Sequence, residues 1–261
     1  MDENVALRTA YDSIAHLYDV DMARNMPFDD IGFYARICER EGGRVLEAGC
    51  GNGRIFLELI SRGVDAVGID CSPRMLEELI GKARRRGAPA RVCRMDARRL
   101  AFASASFQIV LCPYSLVTYM VVASDVDALL AEMVRVLRPG GVAVVDAFVP
   151  RPIADAEAFA LDYRRPYGGA TLSRSKRIVR LAPAVNRIQR RYEIISAAGE
   201  LIDRLDTSED IREFTADELL ARLTDCGLAV ERMSWNYSAD LAVDKAQFVT
   251  LLARKPASRL V

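Results

Sequence analysis

From Arg44 onward, short apolar runs alternate with amphipathic stretches, and that alternation leaves the chain few folds to choose from. RVLEA, VDAVGID, RVCRM, FQIVLC and VAVVDAF are rich in Val, Ile and Cys. Their near-continuous apolar character is what strands buried on both faces require. Helical patterns lie between them. RIFLELISR follows Gly53; RMLEELIGKARRR follows Ser72-Pro73, with serine at the N-cap and proline at the first helical position. Ser124 is expected to start DVDALLAEMVRVL, and Pro139-Gly140-Gly141 to end it. Strands alternating with helices imply an α/β fold built on a parallel, doubly wound sheet.

Two segments depart from the alternation. Residues 9–20 (TAYDSIAHLYDV) place Tyr11, Ala15 and Tyr18 on one helical face. After Pro150 the pattern becomes polar and strand-like: TLSRSKRIVRLA, then VNRIQRRYEIIS, separated by Pro183 and followed by Gly199. Ile188, Arg190, Tyr192 and Ile194 share one face of the second strand; Arg187, Gln189, Arg191 and Glu193 share the other. An antiparallel β insert with a solvated side is expected there, its exposed edge suited to pairing with a second copy. The α/β pattern then resumes. Thr215-x-x-Glu218 forms a capping box, LLARLTDC the helix and Gly227 its stop, before two closing strands, LAVERMSW and QFVTLLAR. The expected organisation is one domain over 1–261. Helices of a lid occupy 1–28, the core 29–150 and 209–256, and the insert 151–208.

Composition narrows the function classes. Of 261 residues, 36 are Lys or Arg and 36 Asp or Glu, so no net basic charge argues for an obligatory nucleic-acid partner. No apolar run reaches the roughly 18 residues that a membrane span needs, and MDENVALRTAYD is not a signal peptide. The six cysteines are scattered without a C-x-x-C pair, as expected of reduced thiols in a cytoplasmic protein without a metal site.

The first strand runs into VLEAGCGNGR. A phosphate loop would need G-x-x-x-x-G-K-[ST], and no such lysine is present. A dinucleotide fingerprint starting at Gly49 and Gly51 would need a third glycine at position 54, which is Arg54. What remains is G-x-G-x-G, backbone that a ligand can approach closely, followed by the first amides of a helix. A small anion such as a carboxylate suits it better than a diphosphate. Asp70 ends the next strand, where an acid accepts hydrogen bonds from ribose hydroxyls. Asp96 follows the third strand, where a carboxylate can accept from an exocyclic amine.

These residues resemble the class I S-adenosylmethionine-dependent methyltransferases over almost the whole chain. VLEAGCGNGR, VGIDCSPRML, CRMDAR, FQIVLCPYS and VLRPGGVAVVDAF look like the five successive motifs of that family. Within it the chain is most similar to bacterial small-molecule enzymes, including the sugar N,N-dimethyltransferases of antibiotic pathways. The cues are TAYDSIAHLYD, DDIGFY, GNGR, DAFVP and EFTADELLARLTDCGL. The resemblance implies a Rossmann-like sheet and the cofactor S-adenosylmethionine. It implies that Glu47, Gly49, Gly51 and Arg54 surround the methionine part, Asp70 the ribose, and Asp96 with Ala97 the adenine. Ala48, Cys71, Met75, Cys112 and Pro113 would complete the cofactor set, and Tyr11 and Tyr18 would belong to a lid over it. One departure is chemical. Relatives often carry Asn and His after the fourth strand, where this chain has Ser115 and Tyr119. Cys112-Pro113-Tyr114 keeps only part of the Asp/Asn-Pro-Pro-Tyr motif of certain nitrogen methyltransferases.

The expected reaction is methyl transfer to an oxygen, nitrogen or carbon of a small-molecule acceptor. His16, the sole histidine, is the first candidate base. Tyr18 and Tyr119, with Tyr11 and Tyr114, are candidates to orient the acceptor. From Arg164 to Arg191 there are nine basic residues and no acid; this suits a solvated strand face, or a surface meeting an anionic acceptor. An NAD-type oxidoreductase and a non-catalytic cofactor-binding partner subunit stand as alternatives.

Overall fold

A computed structural model describes residues 3–22, 27–150, 158–238 and 246–257. Seven strands form the central sheet: β1 (Val45–Ala48), β2 (Ala66–Asp70), β3 (Val92–Arg94), β4 (Phe107–Cys112), β5 (Leu137–Phe148), β10 (Ala229–Trp235) and β11 (Phe248–Arg254). Their order across the sheet is β10-β11-β5-β4-β1-β2-β3. The pairs among β1 to β5 are parallel, whereas β11 runs antiparallel to both β5 and β10. The sheet is thus a Rossmann-like one in which β11 alone runs against the other strands. Its β4 is buried almost throughout and β5 from Gly141 to Ala147, as their apolar runs require.

Helices cover both faces: α3 (Asp30–Glu41), α4 (Phe56–Ser61), α5 (Pro73–Arg85), α6 (Ala123–Val136) and α7 (Ala216–Asp225). Ser72 caps α5, its side chain accepting from Met75 N, and Thr215 caps α7 by accepting from Glu218 N. Ser124 does not start α6. That helix begins at Ala123 after an extended Val122, with no side-chain cap. Nor does Pro139-Gly140-Gly141 end it. Leu137 is already extended, so α6 stops at Val136 and the Pro-Gly-Gly segment runs inside β5. Proline forces its predecessor out of the helical region, and Gly140 and Gly141 are bonded to the backbone of Lys255.

At the N-terminus, α1 (Glu3–Ile14) and α2 (Tyr18–Met22) are separated by a turn over Ala15–Leu17. The single helical face expected over 9–20 is therefore broken. The turn buries Leu17 and leaves His16 exposed. A second, four-stranded antiparallel sheet has the order β6 (Ala160–Tyr167), β7 (Ala170–Ala182), β8 (Val185–Ile195), β9 (Leu201–Arg212). Its Leu172 and Tyr192 pack with Ile14, Ala15 and Leu17 of the lid and Met75 of α5 in one small apolar cluster. The N-terminal helices are thereby packed between the second sheet and α5.

Candidate functional site

The turn after β1 folds as its glycines dictate. Gly49 and Gly51 have φ of +70° and +53°, and a Cβ on Gly49 would come within 3.1 Å of the Leu116 side chain. The turn is stitched to the end of β2 by Asp70. One of its oxygens accepts from Gly51 N at 2.8 Å, the other from Ser72 N at 2.8 Å. Burial raises the Asp70 carboxyl, and those two amides oppose the rise.

A narrow cleft opens over this turn. Gly49, Gly51, Asp70, Cys71 and Met75 line one part; Asp96, Ala97, Pro113 and the missed Met95, Leu116 and Met120 line another. Tyr11 and Tyr18 cover it, and Tyr114 and Tyr119 close its far side. Among the expected cofactor residues, Glu47, Ala48, Arg54 and Cys112 do not line the cleft. Ala48 and Cys112 are buried in the sheet. Arg54 forms a two-pronged ion pair with the buried Asp30, at 3.0 and 2.5 Å, and lies over the Tyr114 ring. Glu47 is 2% exposed, and its Oε2 has no hydrogen-bond partner. Burial, partly opposed by Arg54, pushes its carboxyl up to about 8. Asp96 engages the backbone and guanidinium of Arg98, which also pairs with Asp125.

Beyond the tyrosines lies a second cavity of about 410 Å³. Its walls include Ile178, Ile188 and Ile211, with Asp21, Asp162, Arg174, Lys176 and Arg190 as charged members. Ile188, Arg190 and Tyr192, grouped on one strand face by alternation, line it together. Tyr11, Tyr18, Tyr114 and Tyr119 belong to both spaces. His16 lines neither.

The lid is fastened by three aspartates. Asp12 accepts from the Ser72 hydroxyl at 2.6 Å; Asp19 accepts from Asn52 at 2.8 Å and Lys82 at 2.6 Å. Asp21 accepts from Arg174 at 2.5 Å and from the Tyr163 hydroxyl. Sequence reasoning missed Asp21 and Arg174, which lie 153 positions apart and carry no local signal.

The basic run of the insert is largely paired with acids. Arg174 and Lys176 meet Asp162, Arg180 meets Glu213, Arg187 meets Asp210, Arg190 meets Glu209 and Arg191 meets Asp206. The register explains part of this: Arg187 and Arg191 lie directly opposite Asp210 and Asp206 on β9. Apart from Asp162, which precedes the run, these acids follow the bases in sequence, so a charge excess along the run becomes near-balance in space. Among the described residues, no cluster of His, Cys, Asp or Glu is placed to hold a metal ion, and no helix is long and apolar enough to cross a membrane.

The cleft fits an adenosyl cofactor with an amino-acid tail. Asp70 presents a carboxylate to the cleft, Met75, Met95 and Pro113 give it apolar walls, and nothing stands within 4 Å of a Cβ placed on Gly51. The fold is the Rossmann-like one of S-adenosylmethionine-dependent methyltransferases. The comparisons agree. Residues 45–141 match the family described as a methyltransferase domain. The chain is 28% identical to the methyltransferase GfsG of Streptomyces halstedii, over 97% of this chain and 91% of that one. An S-adenosylmethionine-dependent methyltransferase from Clostridium acetobutylicum superposes with a TM-score of 0.78 at 17% identity, covering 95% of this chain and 99% of that one. The S-adenosylmethionine-bound amino pentose methyltransferase CalS10 from Micromonospora echinaspora gives 0.71 at 22% identity, with coverage of 92% and 96%. At these identities the superpositions speak for the fold. This chain carries a methyltransferase domain and is a methyltransferase.

Proposed function

We propose that this protein methylates an oxygen, nitrogen or carbon atom of a small metabolite of bacterial secondary metabolism, held in the larger cavity. The observation that supports this most is the shared wall, four tyrosines bordering both the cofactor cleft and the 410 Å³ space. Such a volume suits a drug-sized molecule.

When bound, S-adenosylmethionine supplies a methyl on a sulfonium that is already activated, so the protein's task is chiefly positioning. Holding reactants in line can contribute about 7–11 kcal/mol. In this proposal Gly49 and Gly51 serve the amino-acid end, with the buried Glu47 and Arg54 acting behind them, Arg54 through Asp30. Asp70 takes the ribose hydroxyls, and Asp96 with Ala97 borders the adenine. The tyrosine ring faces favour a nearby positive charge. Burial pushes all four phenols up, Tyr114 to about 12, so they stay protonated at neutral pH. Tyr18 and Tyr119 therefore orient an acceptor and do not take its proton. The exposed position of His16 gives no support to a role as base.

The partner in this reaction is the small acceptor, without nucleic acid or membrane. Leu161 on β6 and Leu201 and Ile202 on β9 are exposed at the free edges of the insert sheet, which supports pairing with a second copy.

The test is transfer of label from methyl-tritiated S-adenosylmethionine to a panel of amino sugars, phenols, carboxylic acids and nitrogen heterocycles. A labelled organic product is expected. Tight binding of S-adenosylhomocysteine with no transfer to any class would favour the non-catalytic partner subunit.

A further inference from the structure

Asp146, near the end of β5, is fully buried and has no ion-pair partner among the described residues. Its Oδ2 accepts from the Tyr34 hydroxyl, from the Tyr237 hydroxyl at 2.8 Å and from the Tyr114 backbone N–H at 3.0 Å. Aromatic rings crowd the site: Tyr34 and Tyr237 meet Phe33, and Tyr114 and Tyr237 meet Phe248, all with centroids within 6 Å.

The third of those hydrogen bonds reaches a strained segment. Tyr114 and Ser115 both adopt left-handed backbone, with φ of 51° and 60°. Neither is glycine, and such residues cost about 1–3 kcal/mol each unless their surroundings hold them. The chain needs this double turn to leave β4 and enter the 3-10 turn Leu116–Tyr119. That turn delivers the Tyr119 hydroxyl to Tyr11, and Tyr114 itself lines both cavities.

We propose that Asp146 is a positioning residue for methyl transfer: by gripping the Tyr114 amide it holds the left-handed Tyr114–Ser115 turn, and so sets two of the four tyrosines at the junction of the cavities. The assignment rests on the function proposed above. A carboxylate buried without a cation is a poor choice for stability alone. Burial pushes Asp146 up to about 6, even though the two tyrosines and the Tyr114 amide favour its charged form. Among the described residues, the groups around it supply no free cation. On α3 are Tyr34 and Asp30; Arg54 is committed to Asp30; β4 brings Cys112, and the turn after β10 brings Tyr237.

Protonation below about pH 6 turns a charged acceptor into a weaker neutral one and loosens the turn. Glu47 titrates well above that window. The test uses the full chain with Asp146→Asn and, as a second variant, Tyr237→Phe. Calorimetry with S-adenosylhomocysteine from pH 5 to 8 is paired with melting temperatures at pH 8. Wild type should lose affinity by about fivefold as pH falls through 6. Asp146→Asn should bind weakly without that step, yet melt no lower than wild type at pH 8, because the cost of the buried charge is gone. Tyr237→Phe should move the step to higher pH, because Asp146 loses a donor to its ionised form. Unchanged affinity and an unchanged step in Asp146→Asn would overturn the proposal. So would melting that falls in parallel with affinity, the mark of a purely structural residue. Failure of wild type to bind S-adenosylhomocysteine at any pH would instead sink the function on which the proposal stands.

Discussion

The hydroxyls of Tyr11 and Tyr119 lie 2.5 Å apart across 108 positions of sequence, joining the lid helix α1 to the turn after β4. Their rings meet edge to face at 5.9 Å. The contact sits at the boundary of the two cavities; in the proposed reading it ties the N-terminal helices to the geometry of the acceptor space.

Removing one hydroxyl should separate positioning from cofactor binding. Tyr119→Phe keeps the ring and loses the hydrogen bond, worth about 1 kcal/mol. We expect kcat for methyl transfer to fall about fivefold, with S-adenosylhomocysteine affinity within about twofold of wild type. Steady-state kinetics on whichever acceptor the labelled panel yields, beside calorimetry, checks both numbers.

The clasp between Asp21 and Arg174 is buried, with side chains 7% and 9% exposed. Arg174→Met strands the Asp21 charge, and breaking such a pair from one side costs about 3–5 kcal/mol. The lid should open before the core does. Hydrogen exchange should speed up over residues 10–22 while β1 and β4 stay protected, and S-adenosylhomocysteine should dissociate faster. Adding Asp21→Asn should restore part of the loss.

Glu47 gives the apo protein a pH dependence of definite sign. Its carboxyl is raised from the ordinary 4.5 to about 8 in the folded state, chiefly by burial. The folded chain therefore holds a proton that the unfolded chain releases, and stability falls as pH rises from about 4.5 to 8, by at most about 1.4 kcal/mol per unit. Glu47→Gln should flatten that slope. Urea unfolding at pH 5, 6.5 and 8 measures it; a slope that survives in Glu47→Gln assigns the effect elsewhere.

Much of the fold was legible because its signals are local. The apolar runs of β1, β4 and β5, the Ser72-Pro73 start of α5 and the Thr215 cap of α7 each depend on residues a few positions apart. The glycine turn and Asp70 were legible for the same reason. Other features depend on partners distant in sequence. Arg174 and Asp21 find each other only through the insert's docking on the lid. The basic run of β7 and β8 looked unbalanced because Asp206, Glu209 and Asp210 come later, on β9. Left-handed backbone at Tyr114 and Ser115 leaves no mark in a sequence, since only glycine announces a positive φ. Pro139-Gly140-Gly141 read as a helix stop, when the chain had turned to strand at Leu137.

The claim that the glycine turn and Asp70 form the cofactor site is tested most directly by calorimetric titration of S-adenosylhomocysteine, and of NAD, into wild type and Asp70→Ala. The account predicts one S-adenosylhomocysteine site per chain, weakened about 10–100-fold in the variant by the loss of charge-assisted hydrogen bonds of about 1.5–3 kcal/mol, and no NAD binding. Tight NAD binding without S-adenosylhomocysteine binding, or S-adenosylhomocysteine affinity indifferent to Asp70→Ala, would contradict it.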